Sequence, residues 1–201
     1  MTAVASVRDR SGALLACGVV AGPFYVVVAV LQIVTREGFD ITRHPVSILS
    51  NGAMGWVQVG NFLIAGLLTI AFAAGMGRGW ASRLIALYGA GVAGAGVFSA
   101  DPMGGFPIGA TETVSWHGMM HFVVGGVGFL GLIGACLVMA RAHAAEGRRG
   151  WAAYSAVTGV FFLAAFVGIA SGSSIPGINL AFAAAVVAGW AWITLTAQHL
   201  R

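Results

Sequence analysis

The sequence predicts an all-α fold, an integral membrane bundle of six transmembrane helices with a short outer interfacial helix. Hydrophobic residues make up 59% of the 201 residues and charged residues only 8%, whereas a soluble domain carries roughly 25% charged residues. Six apolar runs each approach the length of about 20 residues that a bilayer core requires. Arginines are concentrated in alternate connections between these runs, as expected for loops sorted across a membrane. Residues 1–201 are therefore expected to form a single transmembrane domain.

The predicted helices cover residues 13–34, 57–76, 84–100, 116–140, 151–170 and 178–197. Backbone polar groups in lipid must be satisfied internally, and long continuous apolar runs fit helices rather than the short alternating strands of a barrel. The first run is longer than the apolar core of a signal peptide, which is about 7–15 residues, so we expect it to be retained. Glycines in the third and fourth runs, including Gly94 and Gly128, predict close packing of these two helices.

The arginines also predict the orientation. Eight of the ten lie at the N-terminus, in the second and fourth connections and at the C-terminus, and only Arg36 and Arg43 lie on the other side. Basic residues are retained on the cytoplasmic side, so both termini are expected in the cytoplasm of a multi-pass protein of the inner (plasma) membrane. The loops near residues 43, 105 and 173 are then expected to face outward. No arginine cluster suggests nucleic-acid binding, and the expected partners are membrane lipids and a hydrophobic small molecule.

The first outer segment is rich in polar residues. Pro45 suits the first turn of a helix and Asn51-Gly52 suits its end, which predicts the short interfacial helix. Gln58 and Asn61 lie three residues apart and so share one face of the second helix. The alternative is an interfacial loop with ordinary hydrated polar groups. The residues expected to bind a substrate are His44, Ser47, Ser50, Asn51, Gln58, Asn61 and Trp116.

Asp101, His117 and His121 are the candidate catalytic residues. The two histidines are spaced i, i+4, so both imidazoles project from one helix face. Asp101 ends the third apolar run, where a carboxylate is unfavourable unless it is paired or hydrated. A carboxylate beside an imidazole can orient it for acid–base chemistry. A hydrated aspartate at a helix end and a structural histidine pair are the alternatives. His143 and His199, at the opposite membrane face, are expected to be solvated.

The same histidine spacing also suits two ligands of one metal ion. We expect no cofactor, with zinc as the alternative. The candidate metal ligands are His117, His121, Asp101 and His44.

The segments FDITRHPVSILSNGAMGWVQVGNF, GVFSADPMGGFP and SWHGMMHF resemble small bacterial membrane proteins of the domain-of-unknown-function family 998. This resemblance extends over nearly the whole chain and implies a compact helical membrane fold without implying an activity. A weaker resemblance is to the membrane hydrolases that include alkaline ceramidases, which hold zinc with three histidines near an Asp and a Ser. His117 and His121 match their HxxxH motif, and His44, Asp101 and Ser47 or Ser50 would complete the set. Those hydrolases have seven helices with HxxxH on the last, so this is an analogy of chemistry only.

The expected function is that of a membrane-embedded enzyme acting on a lipid-like or prenyl-like substrate. Its His/Asp acid–base chemistry would carry out isomerisation, cyclisation or hydrolysis in an outer-facing cavity. The alternatives are a ligand-binding or transport-type membrane protein without catalysis, a zinc-dependent membrane hydrolase, and a scaffold subunit. An enzyme or binding protein should present Asp101, His117 and His121 to one cavity, whereas a scaffold should have them bonded pairwise.

Overall fold

Helices dominate the protein. The computed structural model describes residues 2–172 and 175–201, with side chains from residue 11 onward; Ser173 and Ser174, in the loop expected to face outward, lie outside the described residues. Within the described residues a short 3-10 helix, Val46–Ser50, and an isolated antiparallel bridge between Met103 and Phe106 accompany six long helices, and no strand occurs. The long helices are α1 (Thr2–Thr35), α2 (Gly55–Gly75), α3 (Trp80–Val97), α4 (Trp116–Ala145), α5 (Arg149–Ala170) and α6 (Pro176–Leu200).

Among the described residues, five helices are long and apolar enough to cross a membrane. These segments are Ser11–Thr35, Gly55–Gly75, Trp116–Ala145, Arg149–Ala170 and Pro176–Leu200. The exception is α3, which contains Arg83 and four glycines within its 18 residues, and these lower its mean hydropathy. The all-α membrane fold is therefore confirmed, with five rather than six helices qualifying as spans by their length and composition.

The main contacts among the six long helices form a closed ring. The third helix packs along both α2 and α4, while α1 contacts α2 and α6, and α5 contacts α4 and α6. A Cβ atom added to Gly91 would lie 2.5 Å from the Cα of Gly128, and one added to Gly66 would lie 2.6 Å from the carbonyl oxygen of Gly89. The predicted close contact between the third and fourth helices is thus confirmed, and it is tightest at Gly91 and Gly128 rather than at Gly94.

At the end of the bundle where α4 is joined to α5, the sequence predicts that His143 and His199 are solvated. This prediction is wrong for His143. This side chain is only 3% exposed. Its ring packs against those of Trp151 and His199, at centroid distances of 5.9 Å in each case. The first turn of α5 and the last turn of α6 therefore cover a histidine that the sequence places near a helix end.

Candidate functional site

The α1–α2 and α3–α4 connections pack together at one end of the bundle, called the outer end below because the sequence predicts that it faces outward. His44, which is 2% exposed, joins the two connections. Its Nδ1 accepts a hydrogen bond from the Asp40 backbone N–H at 2.9 Å. Nε2 must then carry the proton, and it donates to the Gly104 carbonyl at 2.9 Å. Both nitrogens of this predicted ligand are therefore engaged by backbone groups.

Arg36 reinforces the same region. Its guanidinium donates to the carbonyl oxygens of Leu49 at 3.1 Å and Asn51 at 2.6 Å, and it lies over the Phe106 ring, 5.2 Å from the centroid. Burial lowers the pKa of the Arg36 guanidinium from its ordinary value, but an arginine stays charged in proteins. Arg36 thereby holds the end of the 3-10 helix and a fully buried aromatic ring in one unit.

Asp40 forms a local turn beside His44. Its Oδ1 accepts hydrogen bonds from the Thr42 hydroxyl at 2.7 Å and the Thr42 backbone N–H at 2.9 Å. These two bonds, the hydroxyl first, lower the pKa of the Asp40 carboxyl from its ordinary value, because they favour the charged form. The turn fixes the position of the Asp40 backbone N–H, which donates to His44 Nδ1.

The predicted substrate-binding residues Ser47, Ser50 and Asn51 take part in local hydrogen bonds. Ser50 and Asn51 donate through their side chains, and Ser47 accepts through its backbone carbonyl. The Ser50 hydroxyl donates to the Ser47 carbonyl at 2.9 Å, and the Asn51 amide donates to the Ile48 carbonyl at 3.2 Å. Ile48, Leu49 and Ser50 are buried, so the 3-10 helix packs into the protein at the place where the interfacial helix was predicted.

Gln58 and Asn61 lie in the interface between α1 and α2, where they meet Gln32. The Gln32 amide donates to Gln58 Oε1 at 2.7 Å, and the Asn61 amide donates to the same oxygen at 3.3 Å and to the Tyr25 carbonyl at 3.1 Å. The three side chains, called the amide cluster below, are 5%, 0% and 1% exposed, in the order Gln32, Gln58 and Asn61. The shared face predicted for Gln58 and Asn61 is confirmed. Gln32 was missed, although a lone amide in an apolar run is itself a sign of an inward-facing residue.

Asp101 belongs to the N-terminal cap of α4. Its Oδ2 accepts from the Ser115 backbone N–H at 2.8 Å, and its Oδ1 accepts from the Ser115 hydroxyl at 2.5 Å. The Ser115 Oγ in turn accepts from the Gly118 backbone N–H at 3.0 Å, which makes Ser115 the N-cap residue. A Cβ atom on Gly118 would overlap the Asp101 carboxylate. Neither Ser115 nor Gly118 was predicted as a site residue, although a serine just before an apolar run is a helix-start signal.

His121 lies against the end of α3 and is 7% exposed. Its Nδ1 is 2.7 Å from the Phe98 carbonyl oxygen and 3.1 Å from that of Ala95. A carbonyl oxygen can only accept, so Nδ1 carries the proton and donates. The neutral ring therefore has Nε2 as its unprotonated nitrogen. The Phe62 ring packs against this imidazole at a centroid distance of 6.1 Å.

His117 lies one turn nearer the outer end and is exposed. Its ring is 4.2 Å from that of Trp116 and 5.9 Å from that of Phe98, measured between centroids. Phe98, just after α3, thus contacts both His117 and His121. Asp101, three residues later, contacts Ser115 at the start of α4. Within the described part of the chain, no hydrogen bond joins Asp101 to either histidine.

The outer end does not gather a metal-binding set among the described residues. In them, no group of three or more His, Cys, Asp or Glu side chains lies close enough together to hold a metal ion. Two apolar grooves occur on the surface, one along α1 from Val19 to Val28 and one between α5 and α6 beside Gly168. Neither groove is lined by a predicted site residue.

Five helices long and apolar enough to cross a membrane define a multi-pass, all-helical membrane protein. A family model described as "Protein of unknown function (DUF998)" matches residues 19–199, and the chain belongs to this family. No curated protein and no solved structure matches the chain. The resemblance inferred from the two outer polar segments is thereby confirmed.

Proposed function

We propose that the protein is a membrane-embedded enzyme that acts on a lipid-like or prenyl-like substrate by acid–base chemistry. The observation that carries this proposal is the hydrogen bond from His121 Nδ1 to the Phe98 carbonyl. A histidine whose Nδ1–H is held by an acceptor has a fixed ring orientation and an unprotonated Nε2, which is the arrangement of a general base. Nε2 would take a proton from the substrate or from water and later return it. This proton transfer would serve isomerisation, cyclisation or hydrolysis.

The surroundings of His121 suggest roles for its neighbours. Trp116, Met119 and Phe122 are 60%, 55% and 66% exposed, so the first two turns of α4 present apolar side chains to the lipid. His117, exposed beside Trp116, is suited to meet the polar end of an amphiphilic substrate. Asp101 acts as a positioning residue, because its bonds to Ser115 fix the start of the helix that carries both histidines.

A protein that binds a ligand, takes part in transport, or serves as a scaffold, without catalysis, is the second candidate. It is favoured by the structural use of Asp101 and His44, whose polar side-chain atoms all bond to Ser115 or to backbone groups. A zinc-dependent hydrolase is the third. To become a ligand through Nδ1, His44 would have to give up its hydrogen bond from the Asp40 backbone N–H, and this counts against a zinc site.

The first prediction tests the role of His121. Purified protein incubated with a membrane lipid extract should consume one lipid class. The amount of each lipid class would be measured by mass spectrometry over time. His121→Asn should lower that rate by about 10²–10⁴-fold, the usual contribution of a general base. His199→Gln, at the opposite end of the bundle, is the matched control and should retain the wild-type rate. Lack of any consumption by the wild-type protein, or equal rates for folded wild type and His121→Asn, contradicts the proposal.

We also propose that all six long helices span the inner (plasma) membrane, with both termini cytoplasmic and the 3-10 helix at the outer interface. The support for α3 is its packing along both α2 and α4, which qualify as spans. Its 18 residues correspond to a length of about 27 Å at 1.5 Å per residue, close to the hydrocarbon thickness of about 30 Å. Arginines in alternate connections support the orientation.

The second prediction tests this topology at the two ends of α3. Thr111→Cys and Arg78→Cys would be made separately in a Cys17→Ala/Cys136→Ala background, and intact cells treated with a membrane-impermeant maleimide. We expect Thr111→Cys to react from outside and Arg78→Cys to react only after permeabilisation, because these positions flank a spanning helix. Reaction of both positions from outside would mean that α3 does not cross, and the reverse pattern would invert the orientation.

A further inference from the structure

The amide cluster contains buried polar atoms without a partner among the described residues. These atoms are Gln32 Oε1, Gln58 Nε2 and Asn61 Oδ1, none of which has a hydrogen bond in the part of the chain that the structure describes. The side chains that carry them are at most 5% exposed. In natural proteins roughly 90% or more of buried polar groups are paired, so three free atoms at one place indicate a missing partner.

The three free atoms belong to amides that share one hydrogen-bond acceptor. Gln32 and Asn61 each donate to Gln58 Oε1 through the nitrogen of their own amide. Each free atom is therefore the second polar atom of an amide that takes part in these hydrogen bonds. The Tyr25 phenol lies beside Gln58, and the Phe62 ring is 6.0 Å from the Tyr25 ring. Two aromatic side chains thus lie next to the cluster.

The pattern of free atoms defines the chemistry of the partner. Two free oxygens require a donor and one free nitrogen requires an acceptor. The segments Ser11–Thr35 and Gly55–Gly75, which form the cluster, contain no Asp, Glu, Lys or Arg. An ion there would have no opposite charge to offset its desolvation, so the partner is neutral and carries an oxygen that both donates and accepts.

We propose that the amide cluster binds a neutral hydroxyl group, supplied by a water molecule or by the hydroxyl end of a lipid alcohol. Its oxygen accepts from Gln58 Nε2 and its hydrogen is donated to Gln32 Oε1 or Asn61 Oδ1. Water has two hydrogens and satisfies all three atoms, whereas an alcohol satisfies two. This site does not include His121 and does not depend on the proposed catalysis.

The test is a structure of the full chain in lipid nanodiscs, at a resolution that reveals ordered water. We expect density within hydrogen-bonding distance of at least two of the three free atoms. A round peak identifies water, and density that continues into an acyl chain identifies a lipid alcohol. Three amides packed with no density between them overturn the proposal.

A thermal-shift measurement separates the two sources. With a lipid alcohol as the ligand, 1-dodecanol should raise the unfolding midpoint of the wild type by several degrees more than dodecane does, and Gln58→Leu should lose this difference. Thr69→Val is the matched control, because the Thr69 hydroxyl is buried farther along α2 and bonds to the Ala65 carbonyl. With water as the ligand, the two additives act alike. A dodecanol effect that persists in Gln58→Leu, without density at the amides, contradicts the proposal.

Discussion

Replacing Gly91 with leucine is expected to lower the free energy of unfolding by about 3 kcal/mol, the upper range for overpacking a close contact. A Cβ atom at this position would lie 2.5 Å from the Gly128 Cα and 2.7 Å from the Val124 carbonyl oxygen. Both are backbone atoms, so they cannot move aside as a flexible side chain would. The larger side chain must push α3 away from α4. This weakens the close packing that holds membrane helices together.

The same two helices provide controls for this substitution. Gly125 on α4 has open space where a Cβ would lie, so Gly125→Leu should leave stability nearly unchanged. Gly94→Leu should have an intermediate effect, because the nearest atom is Val124 Cγ2 at 3.3 Å, a side chain that can adjust. Stability would be measured by circular dichroism during denaturation in detergent. Equal losses in Gly91→Leu and Gly125→Leu would show that the glycine contact does not hold the two helices together.

The helices were predictable from the sequence because lipid restricts a spanning chain to continuous apolar helices. The third helix is the informative exception. Arg83 and four glycines reduce its hydropathy, yet those glycines are also what allows α2 and α4 to approach it. In α3, therefore, the residues that permit close packing are also residues that lower its hydropathy.

The candidate site was only partly predictable. Helical spacing correctly placed His117 and His121 on related faces, but it could not give their depth. His121 is covered because the end of α3 presents the Ala95 and Phe98 carbonyls to it, whereas His117 is exposed. His44 bonds to backbone atoms of residues 40 and 104, and backbone partners that are distant in sequence leave no residue-type signal.

Asp101→Asn is expected to lower the free energy of unfolding by about 1–3 kcal/mol, the usual effect of losing hydrogen bonds to a charged group. The carboxylate accepts from both the backbone N–H and the hydroxyl of Ser115. An asparagine keeps one acceptor oxygen and turns an NH₂ donor toward the other Ser115 donor. Ser115→Ala should lower stability by about 1 kcal/mol, as expected for loss of an N-cap. Because the two residues bond directly, the double variant should lose less than the sum of the single variants.

The same pair of variants separates a positioning role for Asp101 from direct proton transfer. If Asp101 acts by fixing the start of α4, Ser115→Ala should also slow lipid conversion, since it removes the hydroxyl bond and leaves only the backbone N–H bond to Asp101. If Asp101 exchanges a proton with the substrate, Asp101→Asn will stop conversion while Ser115→Ala keeps most of it. The measurement is the conversion rate of folded protein in nanodiscs, with unfolding midpoints determined on the same samples. The bonding of both carboxylate oxygens to Ser115 leads us to expect the first result, and a rate loss confined to Asp101→Asn would reassign this residue to the chemical step.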